Sequence, residues 1–237
     1  MTTLSKNARI AGLLYFGLTL TGPVRLIYIP SVLFVSGSAA ATAHNIASHD
    51  LLFRAGIFAD LLSGVLNVFL ALALYRLLAG VDRALAVTMV ILGGILSVPI
   101  YFLNTLNDVG ALLFAHGTDS LSAFSRPQQE AMTMLFVNLH HYGVLVNEVF
   151  WGLWLLPFGL LVYKSDFLPR ILGVWLVVNC FAYLAQVVSG VLLPQFSETV
   201  ANIALPVQFG EVAIMLWLIV IGAKRRVAAA GPRLASP

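Results

Sequence analysis

Apolar residues recur in six long runs separated by short polar or basic stretches, at roughly 10–29, 52–78, 84–114, 130–163, 168–193 and 199–222. A helix needs about 20 residues to cross about 30 Å of hydrocarbon. Each run is therefore predicted to span a membrane, and the chain reads as an all-α polytopic membrane protein, a bundle of six transmembrane helices. Residues 1–9 form a short polar leader, residues 10–223 the transmembrane domain, and residues 224–237 a basic tail of disordered composition. The first run is longer than the apolar stretch of a signal peptide, and no small-x-small cleavage site follows it, so it reads as a retained helix. Between the first two spans, Ser36–Asp50 (SGSAAATAHNIASHD) is rich in small residues and reads as a short helix at the interface.

Composition agrees with this pattern. Hydrophobic residues make up 60% of the chain and charged residues 10%, far below the ~25% charge of soluble domains. The net charge of +3 points to no nucleic acid, because the basic residues flank the spans. A single cysteine, Cys180, excludes an internal disulfide and a cysteine-based metal site.

Of the 13 Lys and Arg residues, ten fall on one side: Lys6, Arg9, Arg76, Arg83, Lys164, Arg170, Lys224, Arg225, Arg226 and Arg233. The opposite loops hold Arg126, while Arg25 and Arg54 lie in or beside spans. Cytoplasmic loops carry the Lys and Arg excess, so both termini are expected in the cytoplasm and the protein in the inner membrane.

The polar residues within the spans are the candidate chemistry. Counting about 20 residues outward from each basic end puts Asn104, Asp108, His140 and His141 at the outer boundary. Glu148 falls about 9 Å beneath it at 1.5 Å per residue. Arg25, Asp60 and Gln186 fall in the outer third, and Asn67 and Glu211 at the middle. Helical spacing gathers them on faces: Tyr101, Asn104 and Asp108; Asn179, Tyr183 and Gln186; Asp60 and Asn67; His141 and Glu148; Gln208 and Glu211. A polar pocket open to the outer side is predicted, with Arg25, Asp60, Asn104, Asp108, His140, His141, Glu148, Gln186 and Glu211 as its ligand-binding residues.

Simpler readings compete with this one. Interhelical hydrogen bonds alone explain most amides and tyrosines, at about 0.6 kcal/mol each. Four carboxylates, Asp60, Asp108, Glu148 and Glu211, face two arginines, Arg25 and Arg54, that are available to neutralise two of them. Ionisable groups inside a span are costly and by default functional. His140 and His141 lie 100° apart on their helix. His141 shares the face of Glu148, and His140 that of Asn147 and Trp151. His44, His49 and His116 are also on the outer side, but no metal-binding spacing joins them, and no metal or cofactor is assigned. No span carries the lysine of a retinal site, and there is no phosphate-binding glycine loop, no GxSxG elbow and no arginine ladder. Trp151, Trp154, Trp175 and Trp217 read by default as lipid-facing or packing residues.

Five segments, RIAGLLYF, FADLLSGVLNVFLALALYRLL, LHHYG, FLPRILG and LPVQFGEVAIMLWLIVIG, resemble the bacterial membrane proteins grouped as domain of unknown function 4386. The likeness runs from about Arg9 to Gly222, with FLPRILG and LH-x-YG its more specific parts. It implies a six-span bundle and no established activity. Asp60, His140, Tyr142, Gly143 and Glu211 match positions that the family fills similarly. Trp154 stands where many relatives are expected to have histidine, and Asn67 where an acid is expected, which weakens any metal or haem scheme.

Three functions fit the sequence. The first is binding of a small amphiphile or lipid in the outer pocket, with the bilayer as the surrounding partner. The second is an intramembrane enzyme acting on a lipid or isoprenoid through a buried acid, with Glu148 and His141 as catalytic candidates. The third is an ion- or proton-coupled transporter. The third is disfavoured by the few ionisable groups in the cytoplasmic half, although a homo-oligomer would supply a second set.

Overall fold

A computed structural model describes residues 2–224. The predicted tail lies, apart from Lys224, outside the described residues. Among the described residues there are seven main helices: α1 (Thr3–Leu33), α2 (Ala39–Ser48), α3 (Asp50–Leu78), α4 (Arg83–His116), α5 (Arg126–Lys164), α6 (Arg170–Leu192) and α7 (Ser197–Val220). All but α2 are long and apolar enough to cross a membrane. The polar leader forms the first turns of α1, because Thr2 caps the helix by accepting from the Ser5 amide.

The six long helices close into a ring. α1 packs on α3, α3 on α4, α4 on α5, α5 on α6, α6 on α7, and α7 returns to α1. Small residues set the closest approaches, as membrane helices require. A Cβ on Gly159 of α5 would stand 2.6 Å from the Gly173 carbonyl oxygen of α6, and a Cβ on Gly12 of α1 would stand 2.8 Å from Ile219 of α7. The outer flanks carry Ile27, Phe58, Leu103, Phe181, Ile203 and Val220, an apolar surface suited to lipid.

Two apolar clusters fill the ring at its ends. The one at the basic end joins Ala11, Leu74, Met89, Phe158, Leu176 and Leu218. The other joins Ile29, Leu33, Ile46, Phe53, Leu112 and Val137. There α2 lies against α4 and α5, burying Thr42, Ala43 and Ile46. The polar residues of the spans occupy the layer between the clusters.

Two π turns interrupt the long helices at this layer, Val24–Tyr28 in α1 and Ile91–Leu96 in α4. Each is followed within three residues by a proline, Pro30 or Pro99. Proline has no amide hydrogen and its ring crowds the carbonyl four residues before it, so the preceding turn is forced out of α geometry. π turns widen a helix locally and recur at functional sites. Arg25 stands in the first. In the second, the Gly93 carbonyl accepts from Asn67 Nδ2 at 2.9 Å.

Candidate functional site: a buried charge quartet and a carboxylate-bearing cavity

The polar layer separates into two parts. The first is a sealed cluster of four charged or titratable residues from four helices: Arg25 (α1), Asp60 (α3), Asp108 (α4) and His140 (α5). Arg25 Nε donates to Asp108 Oδ2 at 2.8 Å, and Nη2 donates to Oδ1 at 2.6 Å. His140 Nε2 stands 3.0 Å from Asp60 Oδ2 and 3.5 Å from Asp108 Oδ2. None of the four is more than 4% exposed. Phe34 and Phe53 lie against the guanidinium at 5.7 and 6.0 Å and close it off beneath α2. One guanidinium and one imidazole thus face two carboxyl groups.

Local sequence explains how His140 reaches this place. Thr133, Val137, His140, Asn147 and Trp154 form the buried stripe of α5. His141, 100° away, is exposed and stands edge-on to Tyr142. The backbone carbonyl of His140 accepts from Asn104 Nδ2 at 3.0 Å, and Asn104 Oδ1 accepts from Asn107 at 2.9 Å. Gly143 makes this approach possible, since a Cβ there would fall 2.1 Å from Asn104 Oδ1. The LHHYG motif therefore supplies one inward histidine and the gap that lets α4 grip its backbone.

Asp60, Asp108 and His140 each offer a donor atom, all within 4.8 Å of one another, which is a spacing a metal ion could use. Both oxygens of Asp108 are already held by Arg25, so a cationic side chain fills the position of a metal's charge. The donor set suits an ion-pair network better than a metal centre.

The second part is a cavity of about 210 Å³ at the centre of the ring, with walls from all six spans. Glu211 of α7 is its carboxylate. The Tyr15 hydroxyl donates to Glu211 Oε2, the Tyr183 hydroxyl donates to Oε1 at 2.9 Å, and Asn179 Nδ2 donates to Oε1 at 3.3 Å. Aromatic rings surround it in sequence: Tyr15 is 6.1 Å from Trp154, Trp151 is 6.3 Å from Tyr183, and Tyr101 is 5.6 Å from Trp151. Gln208, also in the lining, donates to Gln186 at 2.6 Å. Tyr101, Trp151 and Leu26 form the partition towards the quartet. Behind it, Asp60, Asn104 and Asn147 border a void of about 10 Å³, barely the space of one water. The Asn147 amide pairs with the Ser97 hydroxyl at 2.8 Å.

The expected site residues thus divide. Arg25, Asp60, Asp108 and His140 meet, with Asn104 holding His140 from behind. Glu211 lines the cavity, and Gln186 reaches it through Gln208. Glu148 is half-buried and has no hydrogen-bond partner among the described residues; it and His141 line neither the cavity nor the quartet. The depth count needs correction. It set Arg25 and Asp60 below Asp108 and His140, yet the four side chains meet at one level. The π turns shift the register of α1 and α4, which a uniform rise per residue does not capture; α3 and α5 contain no π turn, so the level of Asp60 with His140 follows from how those two helices are placed in the ring. The pairing of arginines is also corrected. Arg54 turns to Asp50 at 2.7 Å, one helical turn before it, and neutralises none of the four carboxylates. Tyr15 was not singled out from the sequence. Trp151 and Trp154 read by default as lipid-facing or packing residues, although Trp151 shares the face of His140 and Trp154 stands where many relatives are expected to have histidine.

The comparisons with known proteins add a family and no activity. An uncharacterised protein of Archaeoglobus fulgidus is 32% identical over 84 residues, which is 35% of this chain and 49% of that protein. The chain therefore spans about half the length of the curated relative it matches. No solved structure matches. The model of the family described as domain of unknown function DUF4386 matches residues 10–222, from the first turns of α1 to the end of α7, and the chain belongs to that family.

Proposed function

We propose that this protein binds a small amphiphile or lipid in the central cavity, as a multi-pass protein of the inner membrane with both termini cytoplasmic. The observation that carries the proposal is the cavity itself: about 210 Å³ in the middle of a six-helix ring, mostly apolar and aromatic, with one carboxylate fixed by three donors. Ligand sites are typically concave, largely apolar and furnished with a few placed polar groups. The quartet serves this site from outside it. Arg25 and Asp108 tie α1 to α4, and His140 ties α5 to α3, so the ring keeps its cavity open at the level of Tyr101 and Trp151. The charge distribution supports the orientation, with the quartet towards the outer face and the basic loops inside.

The reading of an intramembrane enzyme built on Glu148 and His141 has less support, because neither side chain lines the cavity. Native mass spectrometry of the purified protein tests the binding proposal. The wild type should carry a non-protein mass out of the membrane, and Leu18→Trp, which fills the cavity wall, should lose it. Equal adducts on both proteins, or none on the wild type, would overturn the proposal.

A further inference from the structure

From the walls of this cavity we infer that its ligand is cationic, an amphiphile with an ammonium head group; this rests on the amphiphile-binding function proposed above. Glu211 receives three hydrogen bonds, and all come from neutral donors: two phenols and one amide. Among the described residues no lysine, arginine or histidine forms an ion pair with it. Arg25, the buried arginine of the same layer, has its guanidinium on Asp108. Arg25 is thus committed to Asp108, and among the described residues no cationic side chain pairs with the carboxylate in the cavity.

The other walls favour a positive guest as well. Tyr15, Tyr101, Trp151, Trp154 and Tyr183 all border the cavity. Aromatic faces are electron-rich, and a cage of such rings is the usual host for an alkylated ammonium. An anionic head would be repelled by Glu211 and by the rings. A neutral head would leave the buried carboxylate without a counter-charge, and an unpaired buried charge is expensive. A cation pairs with the carboxylate and the rings at once.

Size and exit set the rest of the ligand. A volume of about 210 Å³ admits a compact head and little more. Gly22 of α1 also borders the cavity, and a Cβ there would meet nothing within 4 Å. Leu26, one turn further on, is part of the same wall and is exposed on the flank of the bundle. An apolar tail attached to the head can leave along Gly22 and Leu26 towards lipid.

Three probes with one tail length test the inference: octyltrimethylammonium, octanol and octyl sulfate, titrated against the protein in zwitterionic nanodiscs, with empty nanodiscs as the blank. Tryptophan fluorescence reports occupancy, because Trp151 and Trp154 stand in the wall. The ammonium probe should bind roughly tenfold or more tightly than octanol, since cation–π and ion-pair contacts favour it alone. Glu211→Gln should remove that preference. Gln208→Lys, which brings a fixed cation to the cavity, should do so without touching the carboxylate, and it decides the matter if Glu211→Gln does not fold. Equal binding of all three probes, or preference for octyl sulfate, each abolished by Leu18→Trp, would overturn the cationic ligand and leave amphiphile binding standing. No probe binding above the blank would overturn both.

Discussion

Arg25 and Asp108 face each other across the bundle through two parallel hydrogen bonds, at 2.8 and 2.6 Å, both wholly buried. Such fork-to-carboxylate pairing is among the strongest that side chains make. Its removal is nevertheless asymmetric. Taking away one partner strands a buried charge, at about 3–5 kcal/mol, whereas replacing both by apolar groups of similar size is often neutral. Arg25→Met and Asp108→Leu should therefore each lower the melting temperature of the purified protein sharply, and the double variant should recover most of the loss. A double variant as unstable as the worse single one would show that the pair does more than balance its own charges.

The reach of Asn104 to the His140 carbonyl gives a second prediction. Gly143→Ala puts a methyl group where Asn104 Oδ1 now lies, 2.1 Å from the new carbon. Overpacking of this kind costs about 1–3 kcal/mol, and here it also breaks the Asn104–His140 hydrogen bond. Gly80→Ala, in a loop where the new carbon meets nothing within 4 Å, is the control and should leave stability within error. Thermal denaturation of the two variants side by side checks this. Equal melting temperatures would remove Gly143 from its positioning role.

These contacts show what the sequence could and could not convey. The six spans were legible because hydropathy over about 20 residues is a sum to which every residue contributes. The charged residues were legible as candidates because each is costly in a bilayer. Their partners were not. His140 and His141 differ by one position, and only the burial of Asn147 and Trp154 on the same stripe selects His140. Arg54 had Asp50 one turn away and needed no interior partner. The register of Arg25 depends on a π turn, which hydropathy does not encode, although Pro30 hints at it. The cavity was hidden because Tyr15, Trp151 and Trp154 serve equally well as packing residues until the ring closes around them.

At the basic end, Lys164 donates to Asp82 at 2.9 Å, joining the tip of α5 to the loop between α3 and α4. This hydrogen bond, with a second from the Leu85 amide, holds the Asp82 carboxyl below its ordinary value of 3.8. A depressed carboxyl contributes stability above its unfolded pKa and loses it as pH falls through the folded one. Stability from this contact should thus be level at neutral pH and fall away only below about pH 4. Asp82→Asn should flatten the acid limb of a melting-temperature profile, and Lys164→Met should weaken it. Identical acid limbs in wild type and Asp82→Asn would show that the contact carries no pH dependence. Lys164 is exposed and Asp82 partly so, and the effect should shrink in high salt.

The orientation of the ring decides which face its outer cluster meets, and it can be read by labelling. Cys180 is the chain's one cysteine and is buried, so Cys180→Ala gives a silent background. Ser122 lies exposed in the loop between α4 and α5, and Gly80 lies exposed in the loop between α3 and α4, at opposite ends of the bundle. In intact cells, a membrane-impermeant maleimide should label Ser122→Cys at once and Gly80→Cys only after permeabilisation. That outcome puts α2 and the quartet on the outer side, and the Asp82–Lys164 contact in the cytoplasm. The reverse pattern would invert the protein and with it the charge-bias argument. It would leave the cavity between the two apolar clusters untouched, because the depth of Glu211 between the ends does not depend on which end faces out.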